Sequence, residues 1–451
     1  MNIPRPNVLI SWLMIAVSAL ALFSAAFFRV EAPAEGPVDD RGGLAVLTFQ
    51  SKVIVAGDSL GSPMEHQLPA LDQYAATPRL ARALASVHAF VTDPEEEPHG
   101  AWNLLERNFP ILDEDPAEMD AHLRVRRAIE DPASVDDETF AALEQDLGWF
   151  AELLRARGLD EDDPVRTQLV TSAGLVFAVM VGLLLTAGAA LVVGIGLLIV
   201  AVVLGSRGEV KVRFEPDLEL APLYLRAFAI YLAAMLAVQV VLPLTGIESR
   251  VMAFGGLAAA SILGVAAPVL LGRPWNLACR EMGLHTGEGL LKEAGAGIVG
   301  YVTFLPLVAV GFGITVLFAV LPDLIGSPGG EEASVPLHHP VAAWMAEGSL
   351  AARLGVLFLA AVFAPVFEEL TFRGQFLRGL RGRLGWLAAP LVIGVIFAMI
   401  HPQGWVAIPA LSGLGLSFCL IRQWRDSIVG PMVAHGLHNG TLVALMWVAL
   451  S

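Results

Sequence analysis

The hexapeptide EELTFR, residues 368–373, closes an apolar run in which Arg353 is the only charge between Leu350 and Phe367. Two carboxylates and an arginine in such a place can neutralise one another or can do chemistry. On a helix Glu369 and Arg373 lie four apart on one face, with the acid N-terminal, the favoured order for an ion pair. Glu368 is five residues from Arg373, falls on another face and lacks that partner. An acid left unpaired at a membrane boundary is a functional candidate. Two more stretches put polar groups into apolar runs. FAMIH (397–401) ends on His401, and HGLHN (435–439) supplies His435, His438 and Asn439. His435 and Asn439 share a helix face. Singly, such histidines are more often interhelical hydrogen-bonding residues than catalysts. Together, a glutamate, imidazoles and an amide are what amide hydrolysis needs: a base for water, and donors where negative charge develops.

In this order, Glu-Glu-x-x-x-Arg, Phe-x-x-x-His and His-x-x-x-Asn resemble the CAAX-protease and bacteriocin-processing (CPBP, Abi) family of Rce1-like intramembrane glutamic endopeptidases. The resemblance covers roughly residues 350–450 and extends back toward 222. It does not reach the segment 30–165. It implies that Glu368 activates water with His401 assisting, and that His435 and Asn439 stabilise the oxyanion. Glu369 and Arg373 then hold the helix, and His438 is a supporting residue with no fixed role. The implied partners are the lipid bilayer and a membrane-associated protein or peptide substrate, whose prenylation is not implied. No cofactor is expected. Zinc is the alternative, because Glu and His are its ligands, although the chain has no H-E-x-x-H.

The elements that must position these groups are membrane helices. Of 451 residues, 55% are hydrophobic and 16% charged, which indicates an all-α polytopic membrane bundle. Apolar runs lie near 8–28, 169–204, 222–244, 251–271, 296–321, 350–372, 386–401, 406–421 and 428–449, which makes nine. The first reads as an uncleaved anchor rather than a signal peptide cut near APA (32–34), because its apolar stretch is too long for a signal core. Loops 205–221, 272–294, 373–385 and 422–426 carry 12 Lys and Arg, whereas the alternate connections carry only Arg250 and Arg353. The basic set is therefore expected in the cytoplasm, the protein in the cell (inner) membrane, and segment 30–165 outside the cytoplasm. One step strains this topology. No charge lies between Arg166 and Arg207, a run longer than a bilayer is thick. A single long helix keeps the topology, and a hairpin at 186–189 reverses it. Pro402 and Gly404 suggest a broken segment that brings His401 to mid-depth.

Residues 30–165 hold 29 acidic and 10 basic residues, and the rest of the chain 15 and 18. The shift marks a boundary, and the acidic balance excludes nucleic-acid binding. The organisation expected is an anchor (1–29), an acidic extramembrane domain (30–165), a transmembrane helix and connection (166–221) and a protease-like core (222–451). The acidic domain reads as one strand-like stretch, 44–57, followed by helices, punctuated at Asp93-Pro94, Asp115-Pro116 and Asp131-Pro132. GDSLG (57–61) matches a nucleophile elbow, but Pro63 stands where the following helix belongs, so Ser59 is read as a turn residue. The rivals to a protease are an inactive scaffold or immunity-type binding protein of the same fold, and a transporter. The complete polar set argues against the first, and the lack of two related halves against the second.

Overall fold

The computed structural model describes residues 8–31, 41–61, 64–72, 74–92, 96–107, 115–245, 250–324, 345 and 349–450. Every regular element among them is helical, as the composition predicts. The chain divides into two compact units. One comprises Ala34–Leu185, His338–Val356 and Leu442–Ser451, and the other Met1–Pro33, Thr186–Leu337 and Leu357–Thr441.

Along the chain, α1 (Val8–Glu31) precedes the acidic unit, which begins with α2 (Arg41–Ser59) and α3 (Leu68–Asp72). It continues through α4 (Pro78–Val91), α5 (His99–Arg107), α6 (Pro116–Glu130), α7 (Asp137–Leu147) and α8 (Trp149–Ala156). Polar residues ahead of these helices are caps. Thr77 accepts a bond from the Leu80 N–H with Pro78 following, Asp115 accepts from Ala117 and Glu118 with Pro116 following, and Asp136 accepts from Thr139. Each side chain takes an N–H that the helix cannot use, and proline loses nothing at that position. Asp93-Pro94 lies outside the described residues.

The strand expected over 44–57 is instead α2. Its Leu47, Ser51, Ile54 and Val55 are buried at three- and four-residue spacing, so packing against the α4 residues Leu84 and Val87 overrides the β-propensity of Val and Ile. Ser59 ends this helix, exposed, with its hydroxyl donating to the Ala56 carbonyl at 2.8 Å. A helix therefore stands where a nucleophile elbow needs a strand. Pro63 and the 32–34 cleavage candidate lie outside the described residues.

α9 (Pro164–Ser206) is one continuous helix of 43 residues, with no hairpin at 186–189. Its Leu169 and Ala173 join the core of the acidic unit with Phe150 and Leu154. That packing engages the N-terminal part of the long helix.

The second unit holds α10 (Ala221–Leu244), α11 (Arg250–Leu270), the short α12 (Trp275–Met282) and α13 (Leu290–Leu324). From α14 (Leu350–Phe358) the chain passes through a π-helical turn at Leu359–Phe363 into α15 (Ala364–Glu369), then through a second one at Leu370–Phe376 into α16 (Leu377–Met399). α17 (Ile408–Arg425) and α18 (Val429–Ala449) follow. Six helices among the described residues are long and apolar enough to cross a membrane, against nine apolar runs in the sequence. Two of those runs fall within the single apolar stretch Leu350–Met399, where Gly385 is non-helical at φ 82°. α18 is not among the six, because its histidines and asparagine dilute the apolar run. The protein is an integral membrane protein. The loop cations are largely engaged: Arg213 pairs with Glu288 at 2.6 Å, Arg425 with Glu293 at 2.7 Å and Arg422 with Asp426 at 2.7 Å.

Candidate active site

α15 carries both glutamates, flanked on each side by a π-helical turn. Such turns are rare and cluster at functional sites. Glu369 and Arg373 are both fully buried and bond at 2.8 Å (Glu369 Oε1 to Arg373 Nη1), as the four-residue spacing predicts. Arg373 also donates to the Gly415 carbonyl of α17 at 3.0 Å and lies over the rings of Phe397 (4.7 Å), Phe418 (5.2 Å) and Phe372 (5.8 Å). A guanidinium is the cation best suited to such a place, with its fork on oxygen and its flat faces on aromatic rings.

Glu369 reaches a second group that spacing alone does not reveal. Its Oε1 lies 2.9 Å from His435 Nδ1 on α18. An anion there makes Nδ1 the protonated nitrogen and directs Nε2 away from it. The His435 ring is held between Phe418, stacked at 5.0 Å, and Phe397, edge-on at 6.0 Å.

Glu368 is the carboxylate without an ionic partner of its own. Its Oε2 is buried without a hydrogen-bond partner and lies 3.9 Å from His435 Nε2 and 4.0 Å from His401 Nε2. His401 sits in the turn after α16, with Nδ1 against the Phe397 carbonyl one turn back. Gly404, at φ 77°, and the 3-10 turn Trp405–Ala407 break the segment just beyond. Residues 67 apart in sequence thus converge on one carboxylate oxygen.

Asn439 and His438 are placed differently. The Asn439 amide Nδ2 donates to the Ala360 carbonyl in the first π turn at 2.9 Å. His438 Nδ1 lies 2.9 Å from the Tyr301 hydroxyl of α13, a partner that the apolar setting of Tyr301 gave no reason to expect. Among the described residues no group of three or more His, Cys, Asp or Glu side chains is placed to hold a metal ion. The Glu368 gaps of about 4 Å to both imidazoles are wider than the ~3.4 Å between ligands at tetrahedral zinc distances.

Residues 350–441 match the family model described as type II CAAX prenyl endopeptidase Rce1-like. A stretch of 93 residues is 29% identical to the membrane-embedded CAAX protease MroQ of Staphylococcus aureus (strain USA300), covering 19% of this chain. The chain spans 37% of the length of that relative. No solved structure matches. The matched region begins with α14, includes both π turns and reaches past Asn439, so it contains every group just described except Tyr301. Through these membrane helices the chain is similar to the Rce1-like CAAX-protease family.

Proposed function

We propose that the protein is an intramembrane endopeptidase that hydrolyses a peptide bond in a membrane-associated protein or peptide, with Glu368 as the base. The observation that carries this reading is the convergence of His401 Nε2 and His435 Nε2, at 4.0 and 3.9 Å, on the partnerless Glu368 Oε2.

The bonds already made assign the protons. His401 Nδ1–H donates to the Phe397 carbonyl, which leaves Nε2 as an acceptor facing Glu368. Two acceptors sharing one water through both of its hydrogens stand about 4.4 Å apart, close to the gap seen. A water held this way turns its lone pairs toward a substrate carbonyl. Glu368 takes one proton as the oxygen attacks, and the negative charge moves to the carbonyl oxygen. His435, when its Nε2 also carries a hydrogen, and Asn439, through its second amide hydrogen, are the donors for that oxyanion. The proton on Glu368 then passes to the leaving amine as the C–N bond breaks. In this reading the acidic domain lies outside the cytoplasm and presents or admits substrates.

The test is cleavage of membrane-embedded peptides by the purified protein and by Glu368→Gln, each with and without a chelator. Cleavage abolished by the substitution and untouched by the chelator is the expected result. Loss in both arms indicates a metal site, and undiminished cleavage by the variant removes Glu368 from the mechanism.

A further inference from the structure

We infer that Asn439 is a positioning residue for Glu368: it sets the backbone register ahead of the glutamate by bonding the one carbonyl that Pro365 leaves without a donor. The inference rests on Glu368 being the base.

The first π turn, Leu359–Phe363, is wound so that each N–H meets the carbonyl five residues back. The Ala364 N–H donates to the Leu359 carbonyl in that register. The next bond of the ladder runs from residue 365 to the Ala360 carbonyl, and residue 365 is proline, which has no N–H. Ala360 O is therefore orphaned by sequence, and it is the atom to which Asn439 Nδ2 donates, at 2.9 Å. Gly436, nearly one turn earlier on α18, makes the approach possible. A Cβ there would stand 2.6 Å from the neighbouring Ala361 carbonyl and 3.9 Å from the Pro365 ring. Two consecutive carbonyls of the π turn thus face α18, one bonded and one packed against a glycine.

What this secures lies three residues beyond the proline. Each extra residue accommodated by a π turn rotates everything after it by about 100° relative to an uninterrupted α-helix. The register at 359–363 therefore decides which face Glu368 presents. Asn439 keeps its other amide hydrogen, so this bond and donation to an oxyanion use different hydrogens.

The experiment pairs Asn439→Ala with Pro365→Ala, because alanine at 365 restores the N–H that can take Ala360 O without help. Thermal unfolding of the full chain in detergent micelles reads the bond without reference to activity. Peptide cleavage reads its consequence for the glutamate. Pro365→Ala alone is expected to keep at least a third of the cleavage rate. Asn439→Ala is expected to lower the unfolding midpoint in the native background and by less than half as much beside Pro365→Ala. Its rate loss is expected to shrink about fivefold in that background, the worth of one recovered hydrogen bond, with kcat rather than KM carrying the recovery. Midpoint losses that simply add overturn the bond as the link. Coupled midpoints with no recovery of rate overturn its role in aiming Glu368, as does abolition of cleavage by Pro365→Ala alone. A Glu368→Gln variant that still cleaves instead overturns the proposed function and leaves the unfolding coupling to be judged by itself.

Discussion

Replacing Glu369 by glutamine isolates the charge at the centre of the site. The side chains are nearly isosteric, so no cavity opens. The loss is the anion that Arg373 meets at 2.8 Å and His435 at 2.9 Å. Arg373, itself fully buried, keeps the Gly415 carbonyl and three ring faces but becomes an uncompensated cation. Breaking a buried pair from one side costs about 3–5 kcal/mol, whereas replacing both partners by packed neutral groups is often close to neutral. Glu369→Gln and Arg373→Met should therefore each lose about 3–5 kcal/mol, and the double variant should return to within about 2 kcal/mol of the parent. The assay is reversible unfolding in mixed micelles followed by tryptophan fluorescence. Glu368→Gln is the control, expected to fall within about 1 kcal/mol because its Oε2 has no partner to lose. Cleavage should fall in Glu369→Gln, because His435 loses the oxygen that fixes its tautomer, and in Arg373→Met, because Glu369 loses the guanidinium that holds it in place. A Glu369→Gln protein as stable as the parent, or a double variant whose loss is the sum of the singles, refutes the argument that this pair holds the site.

Other outcomes test separate parts of the molecule. Tyr301→Phe removes the hydroxyl beside His438 and should change the cleavage rate less than about threefold, the effect of one exchanged hydrogen bond away from Glu368; a larger loss brings His438 into the mechanism. Gly297→Ala sets a Cβ 2.4 Å from the Gly430 carbonyl and should cost about 1–3 kcal/mol in micelle unfolding by forcing α13 from the start of α18, with no change meaning that the helices part freely. In the acidic unit, Lys52 is 2% exposed and lies 5.6 Å from the Trp149 ring. Burial holds its ammonium pKa below the usual lysine range, Glu152 opposes the shift and Arg353 adds to it. The unfolded chain then binds the extra proton between the lowered pKa and about 10.5, so stability rises with pH across that window. Lys52→Met should raise the unfolding midpoint at neutral pH and flatten that rise. An unchanged pH profile shows that the ammonium carries no burial penalty.

The geometry of the candidate site was legible where a single helix brings its groups together. Four-residue spacing sufficed to pair Glu369 with Arg373 and to leave Glu368 over, because both statements depend only on helix geometry. Order along the chain and the apolar setting pointed to His401 and His435. What spacing could not supply was contact between helices. The bonds from Glu369 to His435, from Asn439 to the Ala360 carbonyl and from Tyr301 to His438 join residues 66, 79 and 137 apart. The π turns were equally hidden, because a run such as LAAVF carries no periodicity that separates π from α winding, and only Pro365 marks the place. In the acidic unit the misreading of 44–57 as a strand has the same origin. Valines and isoleucines announce β-structure, but burial of one helix face by α4 decides the outcome. The nine runs and the six crossing-length helices differ by three. Two runs lie on either side of the kink at Gly385 within the one apolar stretch Leu350–Met399. α18 carries polar groups where a lone span would carry leucines, and the described apolar part of α1, Val8–Ser24, is short of crossing length.

The distribution of partners has a consequence for how the protein enters its membrane. A lone charged side chain at the centre of an inserting helix raises the insertion free energy by about 2.5–3.5 kcal/mol. Glu369 and Arg373 arrive on the same helical stretch, four residues apart, and can present themselves to lipid as a neutral unit before any neighbour is present. Glu368 has no such companion. The imidazoles that face it come from the turn after α16 and from α18, which follow it in the chain. Its unfavourable exposure to hydrocarbon is relieved only as those segments dock, so the step that completes the cluster also favours assembly of the bundle, and a chain still being threaded into the bilayer carries no finished site.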